Sequence, residues 1–179
     1  MPQLCLKMDH GILLLCLALL GGCIPQDDPA DVRQEGYRPV YISRETMIKI
    51  AVTAPQPLKN PGKIYVQGTY LFVNEINRGI HVIDNQQPTA PRTIAFLSIP
   101  GNVDMAVKGT MLYADNATDL VAIDISSPEA VRVVKRIAGV FPTQKHPAYT
   151  NVVFECVDDS RGVVVGWEKG MLTNPKCRR

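Results

Sequence analysis

The chain lacks a surplus of charge, a long apolar run and any catalytic signature. Its 19 Lys and Arg stand against 17 Asp and Glu, a formal net charge of +2 with both signs scattered. That excludes a nucleic-acid footprint, which needs a clustered basic face, and provides no steering toward an acidic partner. The apolar stretch at residues 12–20 is nine residues long, well short of the roughly 20 that a membrane-crossing helix needs. There is no glycine-rich phosphate loop, no zinc-protease helix and no nucleophile elbow. Residues 60–140 show no capped helical stripe. The expectation is therefore no catalytic residue, no metal and no cofactor. What remains is ordinary globular material: 179 residues, 46% hydrophobic and 20% charged, enough for one domain with a core and a tail.

The N-terminus departs from that average. Residues 12–20 have the length of the apolar core of a secretory signal, with Lys7 as the positive flank and Met1 or Met8 as the start. Leu20-Gly21-Gly22-Cys23 follows, and it resembles the lipobox of bacterial lipoproteins: an apolar residue, two small residues, then the cysteine. The resemblance implies cleavage before Cys23 and lipid attached to its thiol. The alternative is an ordinary signal peptide with an incidental cysteine. Residues 23–36 read as a flexible tether, rich in Pro and Asp. Within it, Gln26-Asp27-Asp28 is similar to the acidic signal that sends Bacteroidetes-type lipoproteins to the outer face of the outer membrane. The expected location is thus the cell envelope, anchored through lipid.

With Cys5 and Cys16 in the signal and Cys23 acylated, Cys156 and Cys177 are left. In an exported domain two remaining thiols invite one disulfide. A metal site combining them with His146 is the rival, and it lacks paired Cys-x-x-Cys spacing.

From Gly62 onward, short β-branched and aromatic runs alternate with Gly, Pro, Asn and Asp, which predicts strands and turns. The pattern recurs. Val66-Gln67-Gly68-Thr69 matches Val107-Lys108-Gly109-Thr110, Leu71-Phe72 matches Leu112-Tyr113, and Ile83-Asp84 and Pro88 match Ile123-Asp124 and Pro128. One residue is dropped between them. A unit of about 40 residues with four short strands is the signature of a β-propeller blade. Gly68 and Gly109 suit positive φ in tight turns, while Asp84 and Asp124 suit strand-ending turns, a structural role. Gly79-Ile80-His81-Val82-Ile83-Asp84 and Asp119-Leu120-Val121-Ala122-Ile123-Asp124 resemble the LVIVD repeat of secreted and surface lipoproteins of Bacteroidetes-type bacteria. Ile99-Pro100-Gly101-Asn102-Val103-Asp104 joins the repeats in that family's manner. The resemblance covers residues 40–142 and implies a β-propeller-like fold and membrane attachment, but no reaction.

The expected architecture is all-β: LVIVD-type repeats over residues 37–142, with blades at 62–101 and 102–141, then a C-terminal hairpin and tail over 143–179. Two repeats cover about 80 residues, and a closed propeller needs at least four blades. The chain is therefore an open partial propeller, assembles with another chain, or is a shortened relative of longer proteins. Strands from residues 37–57 and 152–168 are expected to flank the repeats.

The leading expectation for function is a non-enzymatic binding or structural module with a protein or glycan partner. Trp167, Tyr149, Phe141 and Phe154 form either an aromatic ligand platform or the core of the C-terminal hairpin. The competing expectation is an enzyme acting on glycan or envelope polymer, with Asp104, Asp115 or Asp119 as acid and base. Asp115, Asn116, Asp119 and Asp124 also offer oxygens to calcium, without the spacing of a calcium loop. His81 reads as an exposed or satisfied strand residue.

Overall fold

The computed structural model describes residues 31–128 and 130–179. The lipobox at Leu20, Gly21, Gly22 and Cys23 lies outside the described residues, as do the apolar stretch and the acidic triplet. All the described residues but Asp31 fall in a unit spanning Val32–Arg179, which is all-β, in three sheets of four, five and four strands, none closed into a barrel.

The two repeats each form an antiparallel meander. Strands β3 (Pro61–Gln67), β4 (Tyr70–Glu75), β5 (Gly79–Asp84) and β6 (Arg92–Ser98) make the first, with β2 (Ala51–Thr53) added beyond β6. Strands β7 (Met105–Lys108), β8 (Met111–Asn116), β9 (Asp119–Asp124) and β10 (Arg132–Ile137) make the second. The repeated residues occupy repeated places. Gly68 and Gly109 take φ of 59° and 60° in the first turn of each sheet, a conformation that costs glycine nothing. Asp84 accepts from the Gln86 amide at 3.0 Å and Asp124 from the Ser126 amide at 3.0 Å, each ending its strand. Arg92 and Arg132 back them in turn. The dropped residue lies between the second and third strands: Ile76-Asn77-Arg78 turns the first sheet and Ala117-Thr118 the second.

Strand alternation gives each repeat sheet two faces. In the first sheet, Tyr65, Phe72, Val82, Ala95 and Leu97 share a front face, and Ile64, Val66, Leu71, Val73 and His81 share the rear. In the second, Met105, Val107, Leu112, Ala114, Val121 and Ile123 share the rear, and Ala106, Tyr113, Leu120, Ala122 and Ile137 the front. The core is the seam where the first front meets the second rear. Phe72, Ile80, Val82, Leu97, Met105, Leu112, Val121 and Ile123 are buried there in one cluster, and apolar burial of this kind supplies the main drive for the two sheets to stack.

The third sheet has the order β12 (Val163–Thr173), β1 (Arg33–Ile42), β11 (Val153–Phe154), β13 (Cys177–Arg178). The C-terminal hairpin expected within residues 143–179 does not form between β11 and β12. β1 lies between β11 and β12, antiparallel to β12 from Arg33↔Thr173 to Ile42↔Val163 and parallel to β11 at Tyr37↔Phe154. The reason is length: β1 offers ten residues of pairing to β12, with one bulge between Val40 and Tyr41, whereas β11 has only two. The tether is corrected by the same strand. Its last residues, from Arg33 to Gly36, are hydrogen-bonded strand rather than linker. Cys156 and Cys177 are disulfide-bonded, with Cα atoms 5.3 Å apart, and join β13 to the end of β11. A one-turn helix, α1 (Arg44–Met47), capped by the Ser43 hydroxyl on the Thr46 amide, leads from β1 to β2 and buries Met47.

Candidate functional site

Polar side chains gather at one end of the repeat sheets, opposite the ends that carry Gly68 and Gly109. Asn102, in the link between repeats, is buried there. It receives a hydrogen bond from Asn74 Nδ2 at 2.6 Å and donates to Asp115 Oδ1 at 2.8 Å. Asp115 also accepts from the amides of Val103 and Asp104. Burial raises the Asp115 carboxyl above its ordinary range, and those hydrogen bonds only partly offset it.

Two buried carboxylates pin loops onto this end. Glu75 and His81 lie on the rear of the first sheet, 3.0 Å apart, with Phe96 tilted against the imidazole. Glu75 also accepts from the amides of Lys59 and Asn60, so residues 58–60 cross over the rear face here. Burial would raise the Glu75 carboxyl, but those amides and the His81 ring outweigh it and hold it below the usual range. Asp119 takes the equivalent role in the second sheet. Arg136 and Arg44 each reach its carboxylate at 2.8 Å, and the Gly139 amide donates at 3.1 Å. Burial pushes Asp119 up, and Arg136, Gly139, Arg44 and Thr118 together bring it below the ordinary value.

Above this floor runs the irregular stretch 138–152. The Phe141 amide bonds the Thr118 carbonyl at 3.0 Å, Gln144 accepts from Trp167 Nε1 at 3.3 Å, Lys145 pairs with Asp159 at 2.6 Å, and Arg179 donates to the Pro147 carbonyl at 2.6 Å. Beneath it opens a cleft of about 730 Å³ that includes Trp167, Tyr149, Gln144, His146, Asn60 and Asn77 in its lining. Phe154 supports Trp167 edge-on at 5.5 Å, and Tyr37 stacks with Tyr149 at 5.1 Å. A long stretch without regular structure, fixed at several points, is where a compact domain carries recognition. A second groove of about 430 Å³ adjoins the cleft at Val103, Pro142 and Gln144 and continues past Tyr113, Phe141, Asp104 and Asp115. No family model, no curated protein and no solved structure matches this chain.

The four aromatic residues named from the sequence do not stand together. Phe154 is buried, Trp167 is half-buried in the cleft wall, Tyr149 is exposed, and Phe141 belongs to the adjoining groove. Of the three acid–base candidates, Asp104 and Asp115 line the same groove and Asp119 does not. Asp104 is exposed and paired with Lys63 at 2.7 Å, which holds its carboxyl low. Asp115 accepts backbone amides, and Asp119 is clamped between two guanidinium groups. Asp124 lies at the far end, so the four oxygen-bearing residues proposed for calcium are not gathered, and no three His, Cys, Asp or Glu among the described residues are placed to hold a metal. The thiols of Cys156 and Cys177 are bonded to each other and His146 stands apart, its Nδ1 3.1 Å from the Pro147 carbonyl. His81 is buried against Glu75, the satisfied alternative of the two expected for it.

Sequence reasoning missed Asn102, Glu75, Asn77 and Gln144. A signal existed for Asn77 alone: Asn tolerates the left-handed backbone better than most residues, and it takes φ of 67° in the turn at the cleft.

Proposed function

We propose that the protein is a lipid-anchored, extracytoplasmic binding module of the LVIVD-repeat type, non-catalytic, which takes a glycan in the cleft at Trp167. The cleft carries the proposal. Trp167 and Tyr149 offer aromatic surface for the C–H faces of a sugar, and Asn77, Asn60 and Gln144 offer amides for its hydroxyls. A few polar groups set among aromatic surface is how such pockets fix orientation.

Three observations support the rest. The disulfide fits an oxidising compartment outside the cytoplasm. The repeated turns at Gly68, Gly109, Asp84 and Asp124 fit propeller-type repeats. The carboxylates nearest the cleft are already committed to amides and cations, which favours binding over acid–base chemistry. Among the described residues no helix is long and apolar enough to cross a membrane, and in this reading attachment falls to lipid on Cys23.

Trp167 is the only tryptophan in the chain, so its emission reports on the cleft directly. Titration with oligosaccharide fragments of envelope glycans should give a saturable change in emission, weakened at least tenfold in Tyr149→Ala. Absence of any saturable change across the panel overturns the glycan assignment. Metabolic labelling with palmitate should mark the protein and fail in Cys23→Ser; an unlabelled parent chain ends the anchor.

A further inference from the structure

The repeat allows the faces of the two sheets to be compared position by position. At an offset of 40 or 41 residues, Phe72, Val82 and Leu97 on the first front correspond to Tyr113, Ala122 and Ile137 on the second front. By the same offset, Met105 and Val107 on the second rear correspond to Ile64 and Val66 on the first rear. Phe72, Val82, Leu97 and Met105 are buried in the seam, and Val107 packs against it. Four of their counterparts are on the outside, with Ile64 63% exposed, Val66 61%, Tyr113 37% and Ile137 50%, and Ala122 is half-buried. The groove beside Tyr113 is an uncovered part of that second front. On the first rear, Val73, His81 and Phe96 are already buried at the end that segment 58–60 crosses, and Ile64 and Val66 lie exposed beyond them.

The chain therefore carries an exposed part of each half of its own sheet-to-sheet interface, Ile64 and Val66 at one end of the stack and Tyr113 and Ile137 at the other. The surface that fits a front face is the rear face of a repeat sheet, and a copy of this chain presents one. We propose that copies associate head to tail, the second front of one molecule on the first rear of the next, continuing the seam already formed within each chain. The contact is heterologous, so it generates a ring or a filament rather than a face-to-face pair. Apolar side chains at these exposures, gathered on one face, are what an unfilled interface looks like. Lys135 stands on the second front where Ala95 is buried on the first. That charge makes the contact weaker than the internal seam and reversible.

Ile64 and Tyr113 lie on opposite outer faces with the seam between them, so a covalent link between these positions has to join two molecules. Ile64→Cys and Tyr113→Cys are placed in separately tagged full-length chains, co-expressed, and oxidised in the membrane fraction. A disulfide-linked species carrying both tags is expected, with no linked species when either variant is expressed alone. Three outcomes overturn the proposal: no mixed species, a variant that links with itself and so marks a face-to-face contact, or Tyr113→Cys linked only to a different protein. Sedimentation of the detergent-solubilised full chain provides a second reading. Ile64→Lys and Tyr113→Lys should each lower the mass to that of a single chain, and an assembly insensitive to both overturns the proposal as well.

Discussion

Asn74 and Asn102 meet side chain to side chain at 2.6 Å, one from a strand of the first repeat and the other from the link to the second. Both are buried, and the Asn102 amide goes on to donate to Asp115 and to the Asp104 carbonyl. The apolar seam supplies the drive to stack, and this chain of amides fixes the position in which the sheets stack. Replacing Asn102 by Ala leaves the Asn74 amide without that acceptor and Asp115 short of one donor. Stability should fall by about 1–3 kcal/mol, the cost of an unsatisfied buried group, read as a lower urea midpoint with unchanged slope.

Asp119 gives the sharper test, because its two guanidinium partners come from opposite directions in the chain. Asp119→Asn keeps the shape and removes the charge that Arg136 and Arg44 share, and it should cost about 2 kcal/mol, less than a fully buried pair because Arg44 is half-exposed. Its folded carboxyl lies below its unfolded value of about 3.9. The stabilisation is therefore complete above that value and is lost as pH falls through the lower folded one. Glu75 acts in the same direction. Thermal melts from pH 6 to pH 2 should show a steep acid limb, shallower in Asp119→Asn; an unchanged limb would mean that other groups control acid unfolding.

Reduction of the Cys156–Cys177 bond releases a 21-residue separation. About 3 kcal/mol should be lost on the chain-entropy account. The double variant Cys156→Ala, Cys177→Ala should match the reduced protein, and its proteolysis should begin within residues 150–179, where β11 and β13 lose their cross-link.

At Gly109, an added Cβ meets nothing within 4 Å, yet φ is 60°. Gly109→Ala should cost about 1–2 kcal/mol through the backbone alone, and Gly109→Asn less. Gly68→Ala should cost the same amount, since its φ and surroundings are the same. Differential scanning calorimetry on the pair checks whether the two turns are energetically equivalent.

The parts of the fold legible in the sequence are those governed by local rules. Gly68 and Gly109 mark turns because φ depends on the residue itself, and Asp84 and Asp124 end strands by bonding amides two residues on. Alternation along β8 and β9 separates core from surface. The third sheet was not legible. The pairing of β1 with β12 joins Val32 to Asn174, 142 residues apart, and nothing local in either strand names its partner. The candidate site was half legible. Trp167 and Tyr149 stand out as aromatics in the C-terminal part of the chain, read either as a platform or as core, but Asp119 reads as a turn residue until Arg44 and Arg136 arrive from elsewhere. Asn102 looks like linker composition, and only packing makes it the hinge of the seam.

The position of β1 imposes an order of events. The first described strand cannot find its long partner until almost the last residues of the chain have emerged, while the repeat sheets need only neighbours some tens of residues away. Local pairing is fast and distant pairing slow. The repeats are then expected to condense first, leaving β1 waiting as an unpaired strand until the C-terminus closes around it. A stop codon before residue 163 would yield a chain whose repeats can form and whose N-terminal strand has lost its long partner, a species marked for aggregation or clearance rather than a shorter working protein.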